Sequence, residues 1–342
     1  MKKFVLPFIY VSFIFSSDSA PQTMDDFLVA NEPVTFISDQ NATDFSSINA
    51  IASEEFNQPS PILESNAKRP LLAASLSAIF PGLGQMYIGD MKSAGIMAGS
   101  AAGSVAGIFA SVEHEDEFNE NILVPCTISY STNLFYSVYS AYRDARFTNG
   151  ITNYSFRMPT EQLRDLTYAP FQLSILKKPE VWGSIIGAVL IAKAIGYLAY
   201  PKKGEIKIAA STSPLSPAIM PVLSLPIAVG EESFFRGFLQ SAISENLNPM
   251  AGLAISSLAF GAAHIPNAQA LEKEHQWRYY SFSLPLITAL GAYCGWMTQQ
   301  NHSLKESVAL HMWYDFILFS IDAMTTEKAS IGPKQYAISI PF

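Results

Sequence analysis

The sequence predicts an all-α fold, a polytopic transmembrane helical bundle of about eight spans behind an N-terminal signal segment. Three observations carry this expectation. Of 342 residues, 49% are hydrophobic and only 15% are charged, against about 25% charged in an ordinary soluble domain. Mean hydropathy is +0.20. Long runs also lack any Asp, Glu, Lys or Arg: 70–89, 93–112, 121–142, 208–230, 246–271 and 279–304. The run 181–200 carries only Lys193, and 307–321 only Asp315. Each is long enough, or nearly so, to cross the hydrocarbon layer as a helix, which takes roughly 20 residues and satisfies its own backbone there.

From the N-terminus, Met1-Lys2-Lys3 and the apolar stretch Phe4 to Phe15 have the layout of a secretory signal. Ser17-Asp18-Ser19 offers small residues for cleavage before Ala20, which makes residues 1–19 a signal peptide. An uncleaved anchor is the other reading of the same stretch. Residues 20–67 form a polar, acidic, extracytoplasmic arm without clear periodicity. From Pro21 to Ala67 there is no Lys or Arg but eight acids, which account for the whole net charge of -8. Asn41-Ala42-Thr43 fits a glycosylation pattern and is read as chance in a chain of bacterial appearance. No basic stripe of the kind that nucleic acid requires is present. Cys126 and Cys294 both lie in apolar runs, with no disulfide framework and no zinc spacing.

Pro81-Gly82-Leu83-Gly84-Gln85-Met86-Tyr87-Ile88-Gly89 interrupts the first apolar run, so a turn or broken helix is expected there. This pattern resembles a short membrane module found in many bacterial proteins. The resemblance covers residues 68–148, an accessory helical module with no known chemistry. Gln85 and Asp90 are expected to satisfy backbone groups of the broken helix. Gly95, Gly99, Gly103 and Gly107 recur every four residues and put a smooth face on the second run. A mixed polar segment, 149–179, connects to a rear domain at 180–325, followed by a tail at 326–342. With the arm outside, Lys92, Arg143, Arg146, Arg157, Arg164, Lys177 and Lys178 fall on the cytoplasmic side, as the positive-inside rule asks. Lys68, Arg69, Lys202 and Lys203 fall on the other.

Three patches in the rear domain carry chemistry: Glu231-Glu232-Ser233-Phe234-Phe235-Arg236, Phe260-Gly261-Ala262-Ala263-His264 and His311-Met312-Trp313-Tyr314-Asp315. Ionisable groups in apolar helices are costly unless they meet one another around a task. Glu232 and Arg236 are one helical turn apart and can pair, leaving Glu231 free as a base. Phe260 shares a face with His264. Asp315 is one turn from His311 and can fix its tautomer and orientation. Glu with His can deprotonate and position a water, and a second His with a polar partner can donate to an oxyanion. That is equipment for amide hydrolysis without a covalent intermediate. Ser233 lacks a Gly-x-Ser-x-Gly setting and is a weak rival nucleophile. No His-Glu-x-x-His occurs, although Glu231, His264 and His311 together have the donor types of a metal site.

The patches EExxxR, FxxxH and HxxxD, in this order on separate membrane helices, resemble the CAAX-protease and bacteriocin-processing family of intramembrane proteases, which includes the type II CAAX prenyl endopeptidases. The resemblance covers residues 180–325. It implies a helical membrane fold with a cavity open to the cytoplasm and a peptidase activity, while the signal segment and the glycine-rich module point to a bacterial inner membrane as its setting. It also implies roles: Glu231 and His264 activate water, Glu232 and Arg236 support the first patch, and His311 with Asp315 serves the oxyanion. Asp315 stands where the family often has asparagine. A carboxylate would repel an oxyanion, so Asp315 is expected to orient His311 or to be protonated. No cofactor is expected, the alternative being a divalent zinc. Expected partners are membrane lipid and a peptide or protein substrate; oligomeric state and any prenylation of the substrate are not readable. Two other functions use the same residues. One is a non-catalytic bacteriocin-immunity or partner-binding protein of the same fold. The other is a proton-coupled transporter, which internal repeats would favour; none is seen.

Overall fold

A computed structural model of the chain describes residues 67–114, 117–199, 216, 218–271 and 273–329. The expected signal peptide 1–19, the arm up to residue 66, Lys202, Lys203 and the tail beyond residue 329 lie outside the described residues. Everything described is helical or loop except one small antiparallel hairpin, Val112–His114 with Glu117–Phe118.

The first uncharged run is broken, as its Pro and Gly content requires. Helix α1, Pro70–Ile79, starts on a proline, whose fixed φ suits a first turn, and α2 is Leu83–Ile88. Gly82 and Gly89, both at φ 99°, bracket α2 in the left-handed region that glycine adopts without a steric cost. The exposed backbone groups of this break meet side chains. Gly82 N–H donates to Ser137 Oγ at 3.0 Å and Gly84 N–H to Ser77 Oγ at 3.2 Å. Gln85, fully buried, donates to Ser137 O and Ser140 Oγ, each at 2.8 Å, and accepts from Ser77 Oγ at 3.1 Å. Helix α3, Met91–Ala110, is capped by Asp90, whose Oδ1 accepts from Ser93 N–H at 3.0 Å. These hydrogen bonds from Ser93, the side-chain one first, hold the Asp90 carboxyl below its usual range.

Helix α4, Glu120–Thr148, is the spine of the described structure. It packs on α1, α2 and α3, and also on the rear helix that carries Glu231, Glu232 and Arg236. After it, α5 (Leu163–Tyr168), a 3-10 turn (Ala169–Phe171) and α6 (Leu173–Leu176) lead directly into α7, Pro179–Ala199. The rear helices follow. Helix α8 runs on through Ile219–Glu232, a π-helical stretch Ser233–Gln240, and Ser241–Asn246. Helix α9 is Pro249–Ala263, capped by Asn248. Helix α10 joins Lys273–Arg278, a π-helical Tyr279–Ser283 and Leu284–Asn301. Helix α11 is Lys305–Ala329.

Helices α7 and α11 lie side by side and parallel. Lys178 Nζ meets Glu306 Oε1 at 2.6 Å. Val181 and Ile185 then pack with Ala309 and Leu310, and Ala188 and Ala192 with Tyr314. Among the described residues, two helices are long and apolar enough to cross a membrane by length and composition, Met91–Ala110 and Pro179–Gly196. On α7, Trp182, Ile186 and Leu190 recur at four-residue spacing and face outward, 49 to 64% exposed. Such a stripe suits lipid and not water.

Gly84 lies against α1 and α4 so closely that a Cβ there would collide with Ala73 O, Ser77 Oγ and Ala141 Cβ. Gly84→Ala is therefore expected to destabilise the fold by about 1–3 kcal/mol through overpacking. Thermal unfolding in detergent checks this; an unchanged midpoint would show that the α1–α2 corner does not constrain the bundle.

Candidate active site

Helix α8 delivers the first patch where α-helical geometry gives way to the π-helical stretch, immediately after Glu232. Such widened turns concentrate at functional positions because they shift the facing of successive side chains. Helix α4 forms the wall behind it. A Cβ on Gly230 would stand 2.8 Å from Thr132 Cα, so glycine is what lets the two helices touch there. Thr132 Oγ1 donates to Pro226 O at 2.9 Å, and Phe135 stacks on Phe234 with ring centroids 4.8 Å apart.

The innermost groups are Glu232 and Arg236, whose side chains have no solvent exposure. Arg236 Nη1 lies 3.2 Å from Glu232 Oε1, and Nη2 donates to Gly291 O at 3.0 Å. The guanidinium sits 4.1 Å from the Phe260 ring centroid. One turn further, Gln240 donates to Gly295 O at 2.9 Å and accepts from Ser256 Oγ at 3.3 Å. One face of α8 is thus fastened to backbone carbonyls of α10 at two successive turns.

His311 comes from α11. Its Nδ1–H donates to Glu232 Oε1 at 2.8 Å, while Nε2 lies 3.4 Å from Asp315 Oδ2 and 3.9 Å from Glu231 Oε2. Asp315, expected to orient His311 or to be protonated, thus stands beside the ring, and Glu232 joins it there. The neighbour one turn along α11 reaches Nε2, and the tight bond to Nδ1 comes from Glu232 across the helix interface. His264 caps the C-terminal end of α9. Its Nδ1–H donates to the Phe260 carbonyl at 2.8 Å, one of the end-of-helix acceptors that lack an intrahelical partner. That bond fixes the tautomer and leaves Nε2 with a free lone pair. Tyr279 Oη–H donates to His264 O at 2.9 Å and steadies the turn. The Phe260 ring touches both imidazoles, with centroids 4.7 Å from His264 and 6.0 Å from His311.

These side chains bound a cavity with about 30 Å3 of room, lined by Glu232, Arg236, His264, His311 and Asp315 on its polar side. A water needs roughly 10–15 Å3 on this measure, so one or two fit. Its other walls are apolar, from Phe260, Ile287, Leu290 and Leu310. Glu231 does not line this cavity; its side chain is 24% exposed and approaches through His311. Glu231 Oε2 is itself buried and without a hydrogen-bond partner. Ser233 is fully buried and outside the lining. Among the described residues, no three His, Cys, Asp or Glu groups stand in a metal-holding arrangement, and Glu231, His264 and His311 form no such trio.

Tyr314 and Cys294, the lining residues with a hydroxyl and a thiol, were not among the site candidates of the sequence reading. Tyr314 is 4% exposed, lines the cavity, and has a buried hydroxyl without a hydrogen-bond partner. Cys294 lines it as well. Tyr314 stands beside Asp315 in the third patch, but an uncharged aromatic in an apolar run gives no signal of its own. Gln240, one turn after Arg236 on the same face, was not singled out in the sequence, although a polar residue at that spacing extends the first patch along α8.

Residues 213–317 match the protein family Type II CAAX prenyl endopeptidase Rce1-like. No curated protein and no solved structure matches the chain. The matched segment begins just before α8 and ends two residues past Asp315, so it holds all three patches and excludes α1 to α7.

Removing Arg236 would leave Glu232 as a buried carboxylate without its cation. Arg236→Met is expected to destabilise the protein by about 3–5 kcal/mol, the usual cost of breaking a buried pair from one side. Adding Glu232→Gln should return part of that loss. Chemical unfolding of the single and double variants measures both, and equal stabilities for the two would mean that the pair does not hold the site.

Proposed function

We propose that this chain, which belongs through residues 213–317 to the CAAX-protease family of Rce1-like type II prenyl endopeptidases, is an integral-membrane endopeptidase that cleaves with a water activated by Glu231 and His264. The observation that carries this reading is the gathering of polar groups from three separate helices around one water-sized cavity, with Glu231 Oε2 outside its lining but 3.9 Å from His311 Nε2. Glu232 is bonded to both Arg236 and His311 at its base.

Each residue's part follows from its partners. The free lone pair on His264 Nε2 accepts one hydrogen of the water, since Nδ1–H is committed to Phe260 O. The unpartnered Oε2 of Glu231 takes the proton as the water oxygen attacks the carbonyl carbon. The carbonyl π-electrons move onto oxygen, and the Tyr314 hydroxyl donates to that oxyanion together with Nε2–H of a His311 protonated on both ring nitrogens, its Nδ1–H being held by Glu232. When the tetrahedral intermediate collapses, the C–N bond breaks and Glu231 returns its proton to the leaving amine. Glu232 holds His311 in register, and Arg236 balances Glu232. Asp315 positions His311 from the Nε2 side. No atom of the protein becomes bonded to the substrate. Ile287, Leu290 and Leu310 favour an apolar substrate segment beside the bond that is cut. The proposed setting is a bacterial inner membrane, with the arm outside and the basic loops in the cytoplasm.

Glu231→Gln should lower turnover by roughly a hundred- to ten-thousand-fold. The check is the membrane proteome of cells carrying wild type or Glu231→Ala. An uncut precursor that builds up only in the variant names the substrate; identical proteomes would favour the partner-binding or transport reading. With the precursor in hand, Tyr314→Phe should lose roughly a hundredfold in kcat with little change in KM. Wild-type kcat would remove Tyr314 from the oxyanion role.

A further inference from the structure

The segment between α4 and α7 lies outside the family match and outside the catalytic chemistry, yet it carries a run of exposed apolar side chains. Its inner side is ordinary core: Leu166 and Ala169 are fully buried and Ile175 nearly so. Its outer side is also apolar. Leu163 is 46% exposed, Tyr168 57%, Phe171 53% and Leu173 68%. A hollow of about 450 Å3 opens among Arg164, Asp165, Tyr168, Phe171 and Gln172. The Asp165 carboxylate is occupied in accepting Gln162 N–H, which caps α5. Arg164 has no ion pair among the described residues and lies 5.9 Å from the Tyr168 ring centroid. Lys177, likewise without an ion pair there, follows the last turn.

Two further observations say what covers this surface. The segment runs straight into α7, a helix long and apolar enough to span a membrane, with only Lys177 and Lys178 between α6 and Pro179. Chain continuity therefore holds residues 163–176 at the level where that span meets water, the level at which aromatic residues and snorkelling cations concentrate. The outward stripe of α7, Trp182, Ile186 and Leu190, continues the apolar surface into the bilayer. We propose that residues 163–176 are an in-plane interfacial segment. Leu163, Tyr168, Phe171 and Leu173 are seated at the boundary of headgroups and acyl chains in the leaflet where α7 begins, and Arg164 and Lys177 lie at the phosphate level.

The lipid contact reaches the third patch. Trp313 Nε1–H donates to Pro170 O at 2.8 Å, and the Phe171 ring packs edge-on to Trp313 with centroids 6.3 Å apart. Trp313 lies between His311 and Asp315 in sequence. On the other flank, Leu163 N–H donates to Tyr136 Oη at 2.6 Å, which ties the segment to α4. The membrane surface thereby bears on the helix that presents His311, through a segment that takes no part in the reaction.

This inference rests on the membrane reading of α7 and not on proteolysis, so its test needs no cleavage. Leu173→Cys and, separately, Tyr168→Cys are made in full-length protein with Cys126→Ala and Cys294→Ala. Each is labelled with an environment-sensitive nitrobenzoxadiazole dye and reconstituted into vesicles of phosphatidylcholine with phosphatidylglycerol. The expected result is loss of dye fluorescence to a spin label near the head of the acyl chain, greater than the loss to a label near its methyl end, together with protection from aqueous iodide. Full iodide access with no lipid quenching overturns the proposal. Stronger quenching from the methyl end overturns it as well, because the segment would then be buried in the bilayer core. Leu173 is mostly exposed, so its replacement costs little packing, and folding is checked by the thermal midpoint of each labelled protein.

Discussion

A carboxylate and a guanidinium with no contact to solvent hold this structure at its centre. Taking both charges out of water costs several kcal/mol each, and attraction offsets that only when geometry and additional hydrogen bonds are good. Glu232 and Arg236 meet those conditions in part, by recruiting the rest of the rear domain, while Glu232 Oε2 and Arg236 Nε stay buried without a hydrogen-bond partner. Arg236 spends its second nitrogen on Gly291 O and lies on Phe260, and Glu232 accepts from His311. The pair therefore fixes α10, α9 and α11 relative to α8. The arrangement also explains why a Cβ at Gly291 would collide with Phe260 and Arg236, since backbone and guanidinium must approach closely there. Helix packing and site chemistry are the same set of contacts.

Most of the site was legible because charge in an apolar helix is conspicuous. Glu231, Glu232, Arg236, His264, His311 and Asp315 could all be named from runs that otherwise hold no ionisable group. The i,i+4 spacing gave the Glu232–Arg236 pair directly. What spacing could not give was the choice between partners on different helices. The sequence places Asp315 beside His311 and is silent on Glu232, which is 79 residues away and takes the stronger bond. Nor could it say that Glu231 stays partly open while its neighbour is sealed, because that depends on which helices pack against each side of α8. Tyr314 stayed hidden because its importance lies in a missing partner, which only packing reveals.

The helical character of the fold was legible for the same reason, whereas the expected count of about eight spans finds two helices of that length and apolarity among the described residues. Pro81 and Gly82 announced the break between α1 and α2, and the chain turns there. Uncharged runs marked the other helices, but an absence of charge is not length. Among the described residues, α3 and α7 combine length with sufficient apolar character, while the long α4 carries Ser, Thr, Asn and Tyr throughout. Those side chains are committed to neighbours. Ser137 and Ser140 serve Gln85, Asn133 donates to Met97 O, and Thr132 reaches Pro226 O. The polar content that weakened the apolar signal of α4 is the content that binds it to both sides.

That double commitment makes α4 a party wall. Its residues Thr132, Phe135 and Tyr142 back the first patch through Pro226, Phe234 and Phe238, while its other face closes the glycine-rich front. A chain cut after residue 148 would bare a sheet of phenylalanine on one fragment and leave the other without a partner. The front helices are thus no detachable appendage, and a phenotype seen on deleting them reports first on the loss of masonry behind Glu231, whatever errand those helices also run.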